Sequence, residues 1–300
     1  MAVLVGTDDG YHVFSSSGGR DHALTGHHVD ALTPGPDGTW VAIVDRHTVW
    51  QHGADGDWAE VARADHELVA LVTAGDTVFA GTADARMLRV SGSSLEPLTA
   101  FDTAPSRDEW HQVGPPIEVR SLTATCDGAV LLANVHVGGI LRSTDAGASW
   151  HPTVPVDDDV HQVVAHPELP NVVVAAAAIG LLRSDDAGMS FELEKRGLSS
   201  TYSRGIATMG DELFLSSAEG PFAKQSRLYS ASIESGRLTP VKDGLPDPVD
   251  GMIDTRLVAA RNGAVAIGSR AGQVWSRAMG QAEWAQLADD LADITCVELT

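Results

Sequence analysis

Histidines are the first side chains in this sequence whose type suggests chemistry. All twelve occur at or before His166, although nearly half of the chain follows it. Neutral imidazole is the commonest protein ligand for zinc, copper and iron. No H-x-x-H or H-E-x-x-H spacing occurs, so a metal site would have to be assembled from separate parts of the chain. We predict His111, His136 and His161 as ligands of a divalent transition metal; the alternative is that they are exposed loop residues.

A short signature recurs along the chain, in most copies a charged or polar residue followed by small and aliphatic ones. Its copies start 37 to 52 residues apart, at Asp30, Val69, Arg120, His161, Arg204, Arg256 and Asp293. Four successive copies start with arginine or histidine, although the overall charge is -21. Arginine binds carboxylates and phosphates through paired N–H donors. We predict a small-anion site at Arg120, His161, Arg204 and Arg256, with Asp30 and Asp293 opposite. The alternative is that these charges neutralise one another in ion pairs.

The signature introduces a repeating set of short apolar segments, rich in β-branched residues and bounded by turn residues. The chain begins at the pattern of a second strand, Val3 to Thr7, and ends at that of a first strand, Ile294 to Leu299. We therefore predict an all-β fold, a seven-bladed β-propeller of four-stranded blades. The C-terminal strand should pair with the N-terminal blade and close the ring. Residues 1–300 would form one domain.

Two copies of a longer motif are intact. Ser143 to Trp150 and Ser184 to Phe191 both read S-x-D-x-G-x-S followed by an aromatic residue, 41 positions apart. The motif resembles the Asp-box (BNR) repeat of sialidases, sortilin-type receptors, two-propeller xyloglucanases and photosystem assembly factors. That resemblance implies a structural turn between the third and fourth strands of a blade. Asp145 and Asp186 are therefore assigned to the fold.

Two long insertions separate the signatures. In a propeller, the connections from second to third strand and from fourth to next first strand emerge at the same end of the blades. Phe101 to Val119 and the segment around residues 218–225 should therefore stand over one mouth as lids or binding surfaces. Trp110 and Phe222 are their predicted apolar contacts with a ligand, unless they pack against the loop itself.

The composition excludes some partners. The chain has 41 acidic and 20 basic residues, which argues against nucleic acid and anionic membrane, since both require clustered lysine and arginine. No signal-peptide pattern and no membrane-spanning apolar run occurs, and there are only two cysteines. We expect a cytoplasmic protein.

Three functions remain open. A sialidase-like glycosidase has three arginines and Tyr202 available, but the Arg-Ile-Pro motif that the resemblance would bring is absent and no glutamate is placed beside Tyr202. A metal-assisted hydrolase or lyase could act on a small anionic substrate, with His136 or His161 as ligand or base. A propeller that binds a small anionic ligand or a protein partner requires the fewest special residues, and we place it first.

Overall fold

The computed structural model describes residues 1–53, 56–112, 114 and 116–300. These residues form seven antiparallel sheets, and the fold is the predicted seven-bladed β-propeller. Blades 1 to 3 contain β1 (Ala2–Thr7), β2 (Gly10–Ser15), β3 (Arg20–Ala23); β4 (Val29–Pro34), β5 (Trp40–Val44), β6 (Thr48–His52), β7 (Trp58–Arg63); β8 (Leu68–Ala74), β9 (Thr77–Thr82), β10 (Met87–Ser91) and β11 (Ser94–Pro97). Blades 4 and 5 contain β12 (Val119–Ala124), β13 (Leu131–Val135), β14 (Gly139–Ser143), β15 (His151–Val154); β16 (Val160–Ala165), β17 (Val173–Ala177), β18 (Gly180–Ser184) and β19 (Glu192–Glu194).

The last two blades and the closing strand complete the fold. They contain β20 (Tyr202–Met209), β21 (Glu212–Ala218), β22 (Gln225–Ser232), β23 (Thr239–Pro240), β24 (Val249–Asp250); β25 (Val258–Arg261), β26 (Ala264–Gly268), β27 (Val274–Ala278), β28 (Ala285–Ala288); and β29 (Ile294–Leu299). β29 pairs antiparallel with β1, with Val5 opposite Val297, so the predicted closure is confirmed. In blade 6 both β23 and β24 pair with β22.

Helical structure is confined to connections. A one-turn helix, α1 (Thr99–Asp102), and a 3₁₀ turn (Arg107–Glu109) lie between blades 3 and 4, and a second 3₁₀ turn (Val156–Asp158) precedes blade 5. In the described ranges, no helix has the length and apolar character needed to cross a membrane.

The chain divides into two compact units. One comprises residues 1–29, 176–181 and 193–300, and the other comprises residues 30–175 and 182–192. The core of the first unit is built around Phe214, Trp275 and Trp284. The second contains one cluster around Phe101 and Trp150 and another around Ile43 and Leu68.

The second strands of the blades are buried on both faces. Every residue of β13, β17 and β26 is buried, which explains why these strands read as continuous apolar runs rather than as an alternating pattern. Close approach also fixes a glycine at the end of β9. A Cβ atom on Gly81 would lie 2.5 Å from Cγ1 of Val119, at the start of the next blade.

The two repeated motifs form nearly identical turns between third and fourth strands. Oδ1 of Asp145 accepts the Ser149 N–H at 2.8 Å, and Oδ2 accepts the Ser149 hydroxyl at 2.6 Å. Asp186 makes the same two contacts with Ser190, at 2.9 and 2.6 Å. The hydrogen bonds from Ser149 and Ser143 lower the pKa of Asp145 to about 2. These carboxylates therefore organise a turn, as predicted.

Gly139, the first residue of β14, tests how closely neighbouring strands of a blade pack. Gly139 and Gly263 have φ angles of 75° and 78°, but a Cβ on Gly139 would lie 2.0 Å from the Val154 carbonyl oxygen, whereas Gly263 has open space. We expect Gly263→Ala to cost about 1 kcal/mol, from left-handed strain alone, and Gly139→Ala to cost at least about 2 kcal/mol more. Urea unfolding of both variants measures the difference. Equal losses would contradict the packing described here.

Candidate functional site

The seven signature residues lie at or near the starts of the inner strands. Asp30, Val69, Arg120 and His161 are each the second residue of their strand, and Arg204 is the third of β20. Arg256 and Asp293 precede β25 and β29. The pairing register shifts at Val69, Arg120 and Arg204, so these three occupy β-bulges. A bulge re-aims a side chain relative to the strand alternation, which explains how a polar residue is tolerated inside an otherwise apolar strand.

In the second unit, two predicted histidines converge on one carboxylate. Nε2 of His161 lies 3.5 Å from Oδ2 of Asp159, and Nε2 of His136 lies 3.9 Å from Oδ1. Nδ1 of His136 is 3.2 Å from the Pro116 carbonyl oxygen. A carbonyl only accepts, so we assign the proton to Nδ1. Asp159 reaches this place from a left-handed backbone, with φ 45°.

Arg120 and Asp159 both act electrostatically on the His136 imidazole. Burial lowers the pKa of His136, Arg120 lowers it further, and Asp159 opposes both. The hydrogen bond from His161 holds the pKa of Asp159 below its ordinary value. A histidine whose pKa is lowered by folding stabilises the protein above its unfolded pKa, about 6.5. That stability is lost as the pH falls through the lower, folded-state pKa. His136 is therefore a neutral side chain beside an ionised carboxylate at neutral pH.

The predicted metal ligands are only partly brought together. His111 is exposed, and its Nδ1 contacts the Glu109 carbonyl oxygen at 3.1 Å. Across residues 1–53, 56–112, 114 and 116–300, no three His, Cys, Asp or Glu side chains are grouped as metal ligands would be. The structure thus brings His136 and His161 together at Asp159, and the binding of a metal by His111, His136 and His161 stays a prediction.

In the first unit, Arg204 also meets a carboxylate. Its Nη1 lies 2.9 and 3.0 Å from the two oxygens of Asp254, and its Nη2 donates to the Pro221 carbonyl at 3.2 Å. Arg270 contacts Asp293 at 3.1 Å and approaches Asp254 at 3.9 Å.

Arg256 takes a different position in the first unit. It has a left-handed backbone, with φ 65°, and its carbonyl accepts the Val297 N–H at 2.9 Å. Burial raises the pKa of the Cys296 thiol to about 12, although Arg256 opposes this shift.

These contacts belong to a wider pattern, which we call the junction ion pairs. Each joins the connection between the second and third strands of one blade to the segment ahead of the next blade's first strand. In the described residues they are Asp8–His28 at 2.8 Å, Arg46–Glu67 at 3.0 Å, Arg86–Asp102 at 3.2 Å, His136–Asp159 at 3.9 Å and Arg270–Asp293 at 3.1 Å. Arg46 also contacts Asp30 at 3.3 Å. The structure thus gives the predicted acids and several predicted cations partners within the chain.

A second recurring position in the sequence, two residues ahead of the signature, marks these partners. The residue two positions before the signature is acidic or a histidine in five copies: His28, Glu67, Glu118, Asp159 and Asp254. Four of these five make the contacts described above. The alternation of side chains along a strand explains the spacing, because residues two apart share a face.

The two predicted apolar contacts, Trp110 and Phe222, differ in exposure to solvent. Trp110 is buried, with its ring centroid 5.6 Å from that of Phe101 and Arg107 stacked over it at 4.5 Å. Trp110 thus packs against its own loop, the alternative left open by the sequence, and its role as a ligand contact stays a prediction. Phe222 is 93% exposed.

Phe222 lies at a cavity of about 480 Å³ in blade 6. The walls come from the end of β21, the β21–β22 connection and the start of β22, together with Ser199, Ser200 and Pro248. The connection is anchored at several points: Pro221 by Arg204, Lys224 through its carbonyl by the Gly251 N–H, and Ala218 through its carbonyl by the Ser200 hydroxyl. The aromatic ring is therefore presented to solvent by a fixed loop.

The chain is therefore a β-propeller with an open pocket on blade 6. The sequence matches no protein-family model and no curated protein. Three solved structures share the fold: an ancestral GH74 enzyme (TM-score 0.68, 14% identity, 96% of this chain), the computationally designed Ika8 protein (0.62, 14%, 98%) and the GH74 xyloglucanase from Xanthomonas campestris (0.61, 18%, 97%). The chain spans 40%, 86% and 47% of those chains, respectively.

The electrostatics around His136 can be checked by titration. Because Asp159 raises and Arg120 lowers the pKa of this histidine, we expect Asp159→Asn to lower it further and Arg120→Gln to raise it toward the ordinary value near 6.5. NMR titration of the imidazole Cε1–H signal measures both shifts, with exposed His111 as the internal control. Shifts of the same sign in both variants would contradict the arrangement.

Proposed function

We propose that the protein is a binding module, not an enzyme, and that its ligand occupies the blade 6 pocket. The observation that carries this proposal is Phe222, a 93% exposed aromatic ring on an anchored loop. Burying such a side chain is worth about 1.5–3 kcal/mol, so a fixed loop that keeps it in water gives up stability at this place. A bound ligand would recover that free energy.

The junction ion pairs support the same proposal. They join Asp293 to Arg270 and His136 to Asp159 across neighbouring blades, and Asp30 is paired with Arg46 within its own blade. The pocket has the volume typical of small-molecule sites. Its described lining contains no histidine or cysteine, so the usual general base and thiol nucleophile are absent from that set.

A glycosidase is the second candidate, because two of the structures that share the fold are GH74 enzymes. We also propose that the two turns at Asp145 and Asp186 are Asp boxes, as the sequence resemblance implies; their hydrogen bonds support this. Glycoside hydrolysis requires one protonated and one ionised carboxyl group. Asp30 and Asp293 would be the candidate carboxyl pair, but each contacts an arginine of the chain. Both are therefore already engaged within the protein, which argues against this pair as the catalytic carboxyl groups.

Ligand-observed NMR with neutral, anionic and cationic aromatic fragments tests the binding function. We expect fragments that bind the native protein and lose about tenfold in affinity on Phe222→Ala, the loss of one stacked ring and its buried area. Met189→Ala is the matched control, since Met189 is also exposed, at 62%, but lies outside the pocket. The absence of any fragment sensitive to Phe222 would overturn the proposal.

Xyloglucan hydrolysis tests the alternative. We expect no release of reducing sugar by the native protein. Turnover that disappears in Asp30→Asn or Asp293→Asn would establish the glycosidase instead.

A further inference from the structure

The blade 6 connection differs from the connections that form junction ion pairs. It is residues 219–224, and its two charged residues are Glu219 and Lys224. In the part of the chain that the structure describes, neither side chain takes part in an ion pair. The corresponding connections of blades 1, 2, 3, 4 and 7 each place a charged or imidazole side chain against the next blade.

Resting on the proposed binding function, we propose that this pocket takes a small molecule with a flat apolar ring and a negatively charged group. The ring stacks on Phe222, and the anion contacts the ammonium group of Lys224. The two residues are separated by one position on a loop whose backbone is anchored at Pro221 and at Lys224 itself. The backbone that carries both side chains is therefore held before any ligand arrives, which reduces the entropic cost of binding.

The charge of the surrounding segment is less hostile to an anion than the rest of the chain. All three lysines of the chain, Lys195, Lys224 and Lys242, lie in this blade or at its entry. Residues 195–250 contain seven lysines and arginines and seven acids, although the whole chain carries a charge of -21. An anionic ligand is therefore repelled less here than by the rest of the molecule.

The inner wall of the pocket is polar and fixed. Arg227 contacts Asp247 at 2.8 Å and donates to the Ser199 hydroxyl oxygen at 3.1 Å, and that hydroxyl lies 2.8 Å from the Tyr229 hydroxyl. The paired Arg227 keeps this wall in place, and the unpaired Lys224 remains available for the ligand. Glu219 also lines the pocket, where it repels an anion and attracts a cation. Replacing Glu219 therefore tests the sign of the ligand's charge.

Four probes separate ring from charge: phenyl phosphate, phenol, benzylamine and inorganic phosphate, each titrated by isothermal calorimetry. We expect phenyl phosphate to bind more tightly than the other three. Lys224→Ala should weaken it about tenfold, as for loss of one charge-assisted hydrogen bond, and Phe222→Ala by a similar factor. Glu219→Gln should strengthen it severalfold, because a repulsive charge is removed. Lys195→Ala, which removes a lysine outside the pocket lining, should have no effect.

The outcomes distinguish this inference from the function on which it rests. Phenol binding as tightly as phenyl phosphate, with no effect of Lys224→Ala, overturns the anionic class and leaves the binding function intact. So does benzylamine binding that is weakened by Glu219→Gln. Inorganic phosphate binding as tightly as phenyl phosphate, with no effect of Phe222→Ala, overturns the aromatic part. If none of the four probes binds, the inference fails. The binding function fails only when the fragment screen also finds no ligand sensitive to Phe222.

Discussion

The arrangement of the connections between the strands of this propeller depends on the junction ion pairs. Blades pack through apolar second strands such as β13 and β26, and apolar contact is not directional. A charged pair adds direction, because its two partners must approach within hydrogen-bonding distance. Exposed pairs of this kind contribute about 0–1 kcal/mol each, so we assign the stability of the blades to apolar packing and the orientation of the connections to the ion pairs.

This division explains the cationic and imidazole side chains that stand out in an acidic sequence. Arg120 and Arg204 emerge at β-bulges, where the strand alternation is interrupted and a polar side chain can leave the apolar sheet. Arg204 contacts Asp254, and Arg120 acts electrostatically on Asp159; both carboxylates stand just ahead of the next inner strand. The chain thus supplies its own anions at the positions where the sequence predicts an external one.

The fold could be predicted because its information is periodic. The signature spacing, the first-strand pattern at Ile294 and the two intact turn motifs each depend on local residue order, and together they fix seven blades and their closure. The same order places some of the predicted site residues together. His136 and His161 do converge, since both lie at the loop ends of adjacent blades. They converge on Asp159, which was not predicted because the signature starts two residues later.

The two long connections show where residue order alone is not enough. Trp110 and Phe222 are both aromatic residues in a long connection, yet one is buried and the other is 93% exposed. The difference depends on which neighbours each loop finds when the chain folds. The Trp110 ring packs against Phe101 and Arg107, whereas the backbone of the Phe222 loop accepts hydrogen bonds from Arg204 and Gly251.

Anchoring through the backbone distinguishes blade 6 from the five junctions that have an ion pair. Where a connection is held by its charged side chain, that side chain is committed to the neighbouring blade, as Arg270 is to Asp293. Where it is held by its carbonyl groups, as at Pro221 and Lys224, the side chains point to solvent at no cost to the junction. The same loop can therefore be rigid and still offer an unpaired ammonium group and an exposed ring. Such preorganisation is what a binding site requires, and it arises here from replacing a junction ion pair with hydrogen bonds to the main chain.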